Sequence, residues 1–174
     1  MKKLVVVMGL SGSGKSFISS MLSKEFGYKW LRSDVIRKEL TGIKPEKSAK
    51  AEFGKGIYTE EITRKVYEEM VKRAKEFYKK CEKVVLDATF LKRWQRELVL
   101  RNFKDPLFIW VYASEDVIKR RLQSRKDVSD ADFGIYLKQK EVFELPDEVN
   151  YVKLNTEKTY EELKKEIEVL IGGR

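Results

Sequence analysis

The run Gly9-Leu10-Ser11-Gly12-Ser13-Gly14-Lys15-Ser16 satisfies G-x-x-x-x-G-K-[ST] at every position. Glycines at that spacing let the chain wrap so that backbone N–H groups face one anion, with the positive end of the next helix aimed at the same point. The pattern predicts a triphosphate cradle: Gly12, Ser13 and Gly14 through their backbone, Lys15 on the β and γ phosphates, and the Ser16 hydroxyl on Mg²⁺. The plainer alternative is a glycine-rich turn with no ligand. A second cluster is Arg32-Ser33-Asp34-Val35-Ile36-Arg37. Asp34 can take a proton from an acceptor hydroxyl, and Arg37, on the same helical face, can hold an acceptor's anionic group. Alternatively, Asp34 or Ser33 caps the helix running to Leu40 and Arg37 is a surface charge.

Val84-Val85-Leu86-Asp87-Ala88-Thr89 is an apolar run closed by an acid, which is a Walker B shape. Asp87 would hold Mg²⁺, directly or through water, or orient the acceptor; otherwise it is a turn residue. Lys92, Arg93, Arg96 and Arg101 follow, with Trp94 among them. A solvated basic face accounts for most of these, Arg93 is also an acceptor-side candidate, and Trp94 reads as core. Further on, Arg121 and Arg125 stand one turn apart on one face. Arg121 is a candidate for the donor phosphates. Arg125 is a candidate for the transition state, where a guanidinium contributes roughly 10³ to 10⁵ in rate. Helix-surface arginines are the plainer reading of Arg120 and Arg121. The chain has no histidine, which removes Ser-His-Asp and Cys-His nucleophiles and His-ligated zinc, so a proton acceptor must be a carboxylate or a lysine. Cys81 is the one cysteine, read as a small core residue, so no internal disulfide forms.

These residues need elements that hold them at one edge. Apolar runs at Leu4–Met8, Tyr28–Leu31, Val84–Leu86, Leu107–Ala113 and Val149–Leu154 read as strands. Helices are predicted over Lys15–Phe26, Thr59–Lys80, Lys92–Phe103, Glu115–Ser124, Asp130–Phe143 and Glu157–Ile171. The long one is supported by Glu60/Arg64, Glu61/Lys65, Glu68/Lys72 and Glu69/Arg73 at i,i+4. Ser129 with Asp132 and Thr159 with Glu162 resemble capping boxes, the second falling within its helix. Such alternation predicts an α/β three-layer sandwich: five parallel strands, helices on both faces, and ligands beyond the strands' carboxyl ends. At 174 residues and 20.5 kDa the chain fits one domain. Residues 41–58 read as an irregular acceptor-side insertion and 121–132 as an Arg-containing lid. No apolar stretch approaches the roughly 20 residues of a membrane span, and the single cysteine suits a cytoplasmic setting. High Lys and Glu with few Asn, Gln and Cys leans toward a heat-adapted source.

Taken together, GLSGSGKS, SDVIRKEL, VVLDATFLKRWQR and RLQSR followed by SDAD resemble the P-loop phosphotransferase kinases related to nucleoside monophosphate kinases. Within that group the D-x-x-R after the second strand and the R-x-x-x-R lid are similar to those of 5′-hydroxyl polynucleotide kinases. The same broad pattern occurs in small-molecule kinases. The resemblance implies Lys15 and Ser16 on the donor phosphates and metal, Asp34 as general base and Arg37 on the acceptor's phosphate. It also implies Asp87 near metal or acceptor, and Arg121 with Arg125 in the lid.

Charge bears on the acceptor. The chain carries a net +9. By sequence, 32–56, 92–104 and 119–126 are basic in excess, whereas 141–168 carries four basic and nine acidic residues. A basic rim would attract a phosphate backbone and weaken with salt, although small anions would gain as well. The expectation is Mg²⁺-dependent transfer from ATP or GTP to a hydroxyl, with a nucleic-acid 5′-OH end as the favoured acceptor. A small metabolite or antibiotic is one alternative, and a regulatory module with no acceptor is another.

Overall fold

A computed structural model describes residues 1–42, 56–124 and 130–172. Five strands form one parallel sheet: β1 Leu4–Met8, β2 Lys29–Arg32, β3 Val84–Asp87, β4 Leu107–Tyr112 and β5 Tyr151–Asn155. Their order is β2-β3-β1-β4-β5. The central strand is apolar throughout because both of its faces are covered. Leu4, Val6 and Met8 pack with Ile36, Val66 and Met70, while Val5 and Val7 on the opposite face meet Ile18, Leu22 and Leu163.

The helices are α1 Lys15–Phe26, α2 Ser33–Leu40, α3 Glu60–Lys79, α4 Arg93–Asn102, α5 Glu115–Gln123, α6 Asp130–Val142 and α7 Tyr160–Gly172. Thr59 caps α3, its hydroxyl accepting from the Ile62 N–H. Among the expected α3 pairs, Glu61–Lys65 closes at 3.8 Å and Glu69–Arg73 at 3.1 Å, whereas the Arg64 guanidinium lies 4.6 Å over the Trp94 ring. Trp94 itself packs on the core, as its plainer reading had it.

Several boundaries move for local reasons. Helix α7 begins at Tyr160 rather than Glu157 because the Thr159–Glu162 box stands at its start, not inside it: the Glu162 N–H donates to Thr159 Oγ1 at 3.2 Å and the Thr159 N–H to Glu162 Oε1 at 3.4 Å. Strand β5 starts at Tyr151 because Val149 still belongs to a turn, its N–H donating to the Pro146 carbonyl. Cys81 is exposed at φ +62° in the turn after α3, which corrects its reading as core. Arg96 corrects the solvated-face reading: its side chain is fully buried. The Ser129–Asp132 box, most of 41–58 and Arg125 fall on backbone or side chains outside the described residues. No described helix is long and apolar enough to cross a membrane.

Candidate active site

Residues 9–16 leave β1 at the point where the chain's path through the sheet reverses, with β3 on one side and β4 on the other. In open α/β sheets that position forms a crevice beyond the strand ends. The loop is tightly packed from behind. Gly14 has φ +104°, and a Cβ there would come 2.9 Å from the Thr156 side chain, so neither the backbone angle nor the space admits another residue. Thr156, just past β5, is buried; its hydroxyl lies 2.6 Å from the Ser13 carbonyl and accepts from Arg121 Nη1 at 3.0 Å. Arg121 also donates to the Gly12 carbonyl at 3.1 Å and the Thr156 carbonyl at 3.2 Å. Burial pushes its guanidinium pKa down, and Glu157 partly offsets that. Buried Gln139 on α6 accepts the Ser11 N–H at 2.9 Å.

Arg121 therefore reaches the loop, but its hydrogen bonds go to carbonyls and to Thr156. Lys15 Nζ donates to the Leu10 carbonyl at 3.2 Å, folding the side chain over its own loop. The Ser13 hydroxyl is buried with no hydrogen-bond partner among the described residues. Ser16, in the first turn of α1, is exposed and accepts from Arg32 Nη2 at 3.2 Å. An open cleft of about 460 Å³ adjoins this flank, lined in part by Val117, Arg121, Thr156, Glu157 and Thr159.

The opposite flank carries Asp87 and Asp34. Asp87 ends β3, in register with Val7 of β1 and Arg32 of β2, and is buried. Burial raises its carboxyl pKa; Lys15, the Trp30 indole donating at 3.0 Å, and Arg32 pull it back, while Asp34 pushes it up further. Asp34 is exposed in the first turn of α2. The residue at the N-cap position is Arg32, whose side chain makes no cap bond, because β2 runs straight into α2. Neither Asp34 nor Ser33 is therefore the N-cap.

Arg37 is 7% exposed, which corrects its reading as a surface charge. It donates to Thr63 Oγ1 at 2.9 Å and lies 4.8 Å over the Tyr58 ring. Tyr67, whose phenol is pushed up by burial, accepts the Phe90 N–H at 3.1 Å and bonds Thr89, fixing the loop after Asp87. Arg37 and Asp34 both act electrostatically on Tyr67. Phe90 holds φ +49°, and its carbonyl accepts from Arg96 Nη1 at 2.7 Å.

Arg93 is turned elsewhere. Its N–H donates to Glu144 at 2.7 Å, and its guanidinium lies 3.8 Å from Glu148 and 4.0 Å from Asp147. Buried Arg96 is bonded to the same Glu148. Residues 144–148 of the segment that the sequence set apart as acidic thus fold against Arg93 and Arg96. Sequence reasoning passed over Trp30, Arg32, Thr63, Tyr67, Gln139 and Thr156. Arg32 carried a signal, a cation at the end of a strand beside Asp34; Thr156, 140 positions after the loop it braces, carried none.

A hard divalent cation fits the oxygens of Ser16 and Asp87. No described cluster of three or more Asp, Glu or Cys side chains could hold a metal alone, so such an ion would take its remaining ligands from phosphate and water.

A family model described as AAA domain matches residues 4–146. A comparison with curated proteins gives no match. Among solved structures, the chain is similar to a gluconokinase from Sinorhizobium meliloti 1021, at 24% identity and TM-score 0.70 over 99% of this chain and 91% of that one. A sugar kinase from Janibacter sp. HTCC2649 matches at 18% identity and TM-score 0.73, covering 99% and 95%. A shikimate kinase from Bacteroides thetaiotaomicron matches at 18% identity and TM-score 0.68, covering 99% of each chain. The fold is that of the P-loop kinases.

Proposed function

The chain belongs to the AAA domain family, and from that premise we propose a phosphotransferase that moves the γ-phosphoryl group of a nucleoside triphosphate, with Mg²⁺, to a hydroxyl of a small anionic metabolite. In this reading the whole of 1–174 works as one unit. The P-loop N–H groups and Lys15 hold the donor phosphates, and Ser16 and Asp87 would hold the cation, which would supply positive charge against that of the phosphates. The cleft beside Arg121 and Thr156 has room for the nucleoside part. Asp34 takes the proton of the acceptor hydroxyl as that hydroxyl's oxygen bonds to the γ phosphorus and the bridging P–O bond breaks, releasing the nucleoside diphosphate. Arg37 holds the acceptor's anionic group, with Thr63 and Thr89 nearby as hydroxyl partners.

The observation that carries the choice of acceptor is the ion pairing of Arg93 and Arg96 with Asp147 and Glu148. It offsets two of the cations that the sequence assigns to the rim, while Arg37, buried beside Thr63 and Tyr58, presents a guanidinium suited to a carboxylate or phosphate. The relatives in structure bear the names gluconokinase, sugar kinase and shikimate kinase, which favours the same choice. A polynucleotide end is the second reading, supported by the exposed Lys119 and Arg120 on α5. The test is transfer of labelled γ-phosphate from ATP, and separately GTP, to a panel of hydroxylated acids and sugars and to 5′-OH DNA and RNA. Labelled metabolite without labelled oligonucleotide is expected; the reverse overturns the choice, and label on neither removes the acceptor altogether.

A further inference from the structure

The two groups suited to a metal are both engaged by β2. Arg32 Nη2 donates to the Ser16 hydroxyl at 3.2 Å, and the Trp30 indole donates to Asp87 Oδ2 at 3.0 Å. The two β2 residues act together, since the Arg32 guanidinium lies 4.8 Å over the Trp30 ring. Arg32 is also the register partner of Asp87 across the β2–β3 ladder, so it cannot be displaced far along the strand without breaking the sheet. A permanent positive charge thus stands on the hydroxyl that a divalent ion would take. An arginine cannot give up that charge, so a bare cation approaching Ser16 meets its repulsion, opposed within the site by Asp87, a buried carboxylate already engaged by Trp30, Lys15 and Arg32. A triphosphate supplies further negative charge.

We propose that Arg32 is an intrinsic cation that guards the metal side of the P-loop, so that a divalent ion enters only together with the nucleotide's phosphates. The guanidinium then gives up Ser16 while remaining stacked on Trp30, from where its donors can turn to phosphate oxygens. Arg32 is a positioning residue in this scheme: it decides the order of loading and not the chemistry. The inference rests on the triphosphate-binding reading above.

The test measures metal binding directly, with Mn²⁺ followed by electron paramagnetic resonance in the absence of nucleotide. Arg32→Gln keeps a donor for the Ser16 hydroxyl but removes the charge. It should bind free Mn²⁺ at least about tenfold more tightly than the wild type, while Arg32→Lys should restore weak binding. Equal Mn²⁺ affinity in wild type and Arg32→Gln overturns the proposal, as does an Arg32→Lys protein that binds as tightly as Arg32→Gln. Indole fluorescence supplies a second readout. It should change when Mg·ATP is added to the wild type but not with Mg²⁺ alone, and the difference should vanish in Trp30→Phe; a response to Mg²⁺ alone overturns the scheme. Binding of Mg·ATP by the wild type separates the guard from the triphosphate site. Retained Mg·ATP binding with unchanged Mn²⁺ affinity in Arg32→Gln refutes the guard alone, whereas no Mg·ATP binding refutes the triphosphate site and the guard with it.

Discussion

The P-loop has two flanks, and they are built differently. Toward β4 and β5, Thr156, Arg121 and Gln139 spend their polar groups on the loop's own backbone. Toward β3 and β2, Asp87 is a buried carboxylate whose charge burial opposes, Asp34 is exposed, and Arg32 sits on Ser16. One flank commits its polar side chains to the loop's backbone and stabilises the shape of the cradle. The other keeps a buried carboxylate whose charge costs stability, as sites of chemistry do. Substitutions on the two flanks should therefore separate activity from stability.

The largest separation is expected at Asp34. In the proposed scheme Asp34 accepts the proton in the chemical step, so Asp34→Asn should lower turnover by roughly 10² to 10⁴ with nucleotide affinity and melting temperature nearly unchanged. Normal turnover would remove the base from the scheme. Arg37→Gln comes next: it loses the cation that the same scheme sets against the acceptor's anionic group, so the acceptor KM should rise on the order of tenfold or more while the donor KM holds. An equal rise in both would place Arg37 in support of α3 rather than on substrate. On the braced flank, Thr156→Val leaves the Ser13 carbonyl and part of Arg121 unpaired, and should cost about 1–3 kcal/mol in denaturant unfolding. Loss of activity there should follow loss of folding or of nucleotide affinity, not a change in turnover at saturation.

The acid flank was more legible in sequence than the braced one, for a physical reason. Chemistry at a strand end is written locally: the P-loop, the Asp34–Arg37 spacing and the acid closing β3 are each contained in a few consecutive residues, and apolar runs announced the strands beneath them. Bracing is tertiary. Thr156 matters because β5 lies next to β4, and Gln139 because α6 returns over the loop; neither position is marked by its neighbours. Charge misled where it was counted along the chain, since Arg96 and Glu148 belong to segments of opposite character that pair in space. The N-cap reading of Asp34 failed because the strand passes into the helix without the loop a cap residue occupies.

The subtlest prediction concerns Asp87, where function and stability oppose each other. Its carboxyl pKa is raised chiefly by burial. For an acid whose folded pKa exceeds its unfolded one, the folded state takes up the proton first, so stability is lost as pH rises through the window between the two values and the penalty stays in place above it. Asp87→Asn removes the ionisation while keeping an oxygen to accept from Trp30. At neutral pH the variant should unfold at a higher temperature than the wild type although phosphoryl transfer fails. The advantage should shrink as pH is lowered into the acidic range and the wild-type carboxyl protonates. Thermal unfolding of both proteins across that range measures it. A variant less stable than the wild type at neutral pH would mean that the pull of Lys15 and Arg32 on the carboxylate outweighs its desolvation, and the acid flank would then be braced like the other.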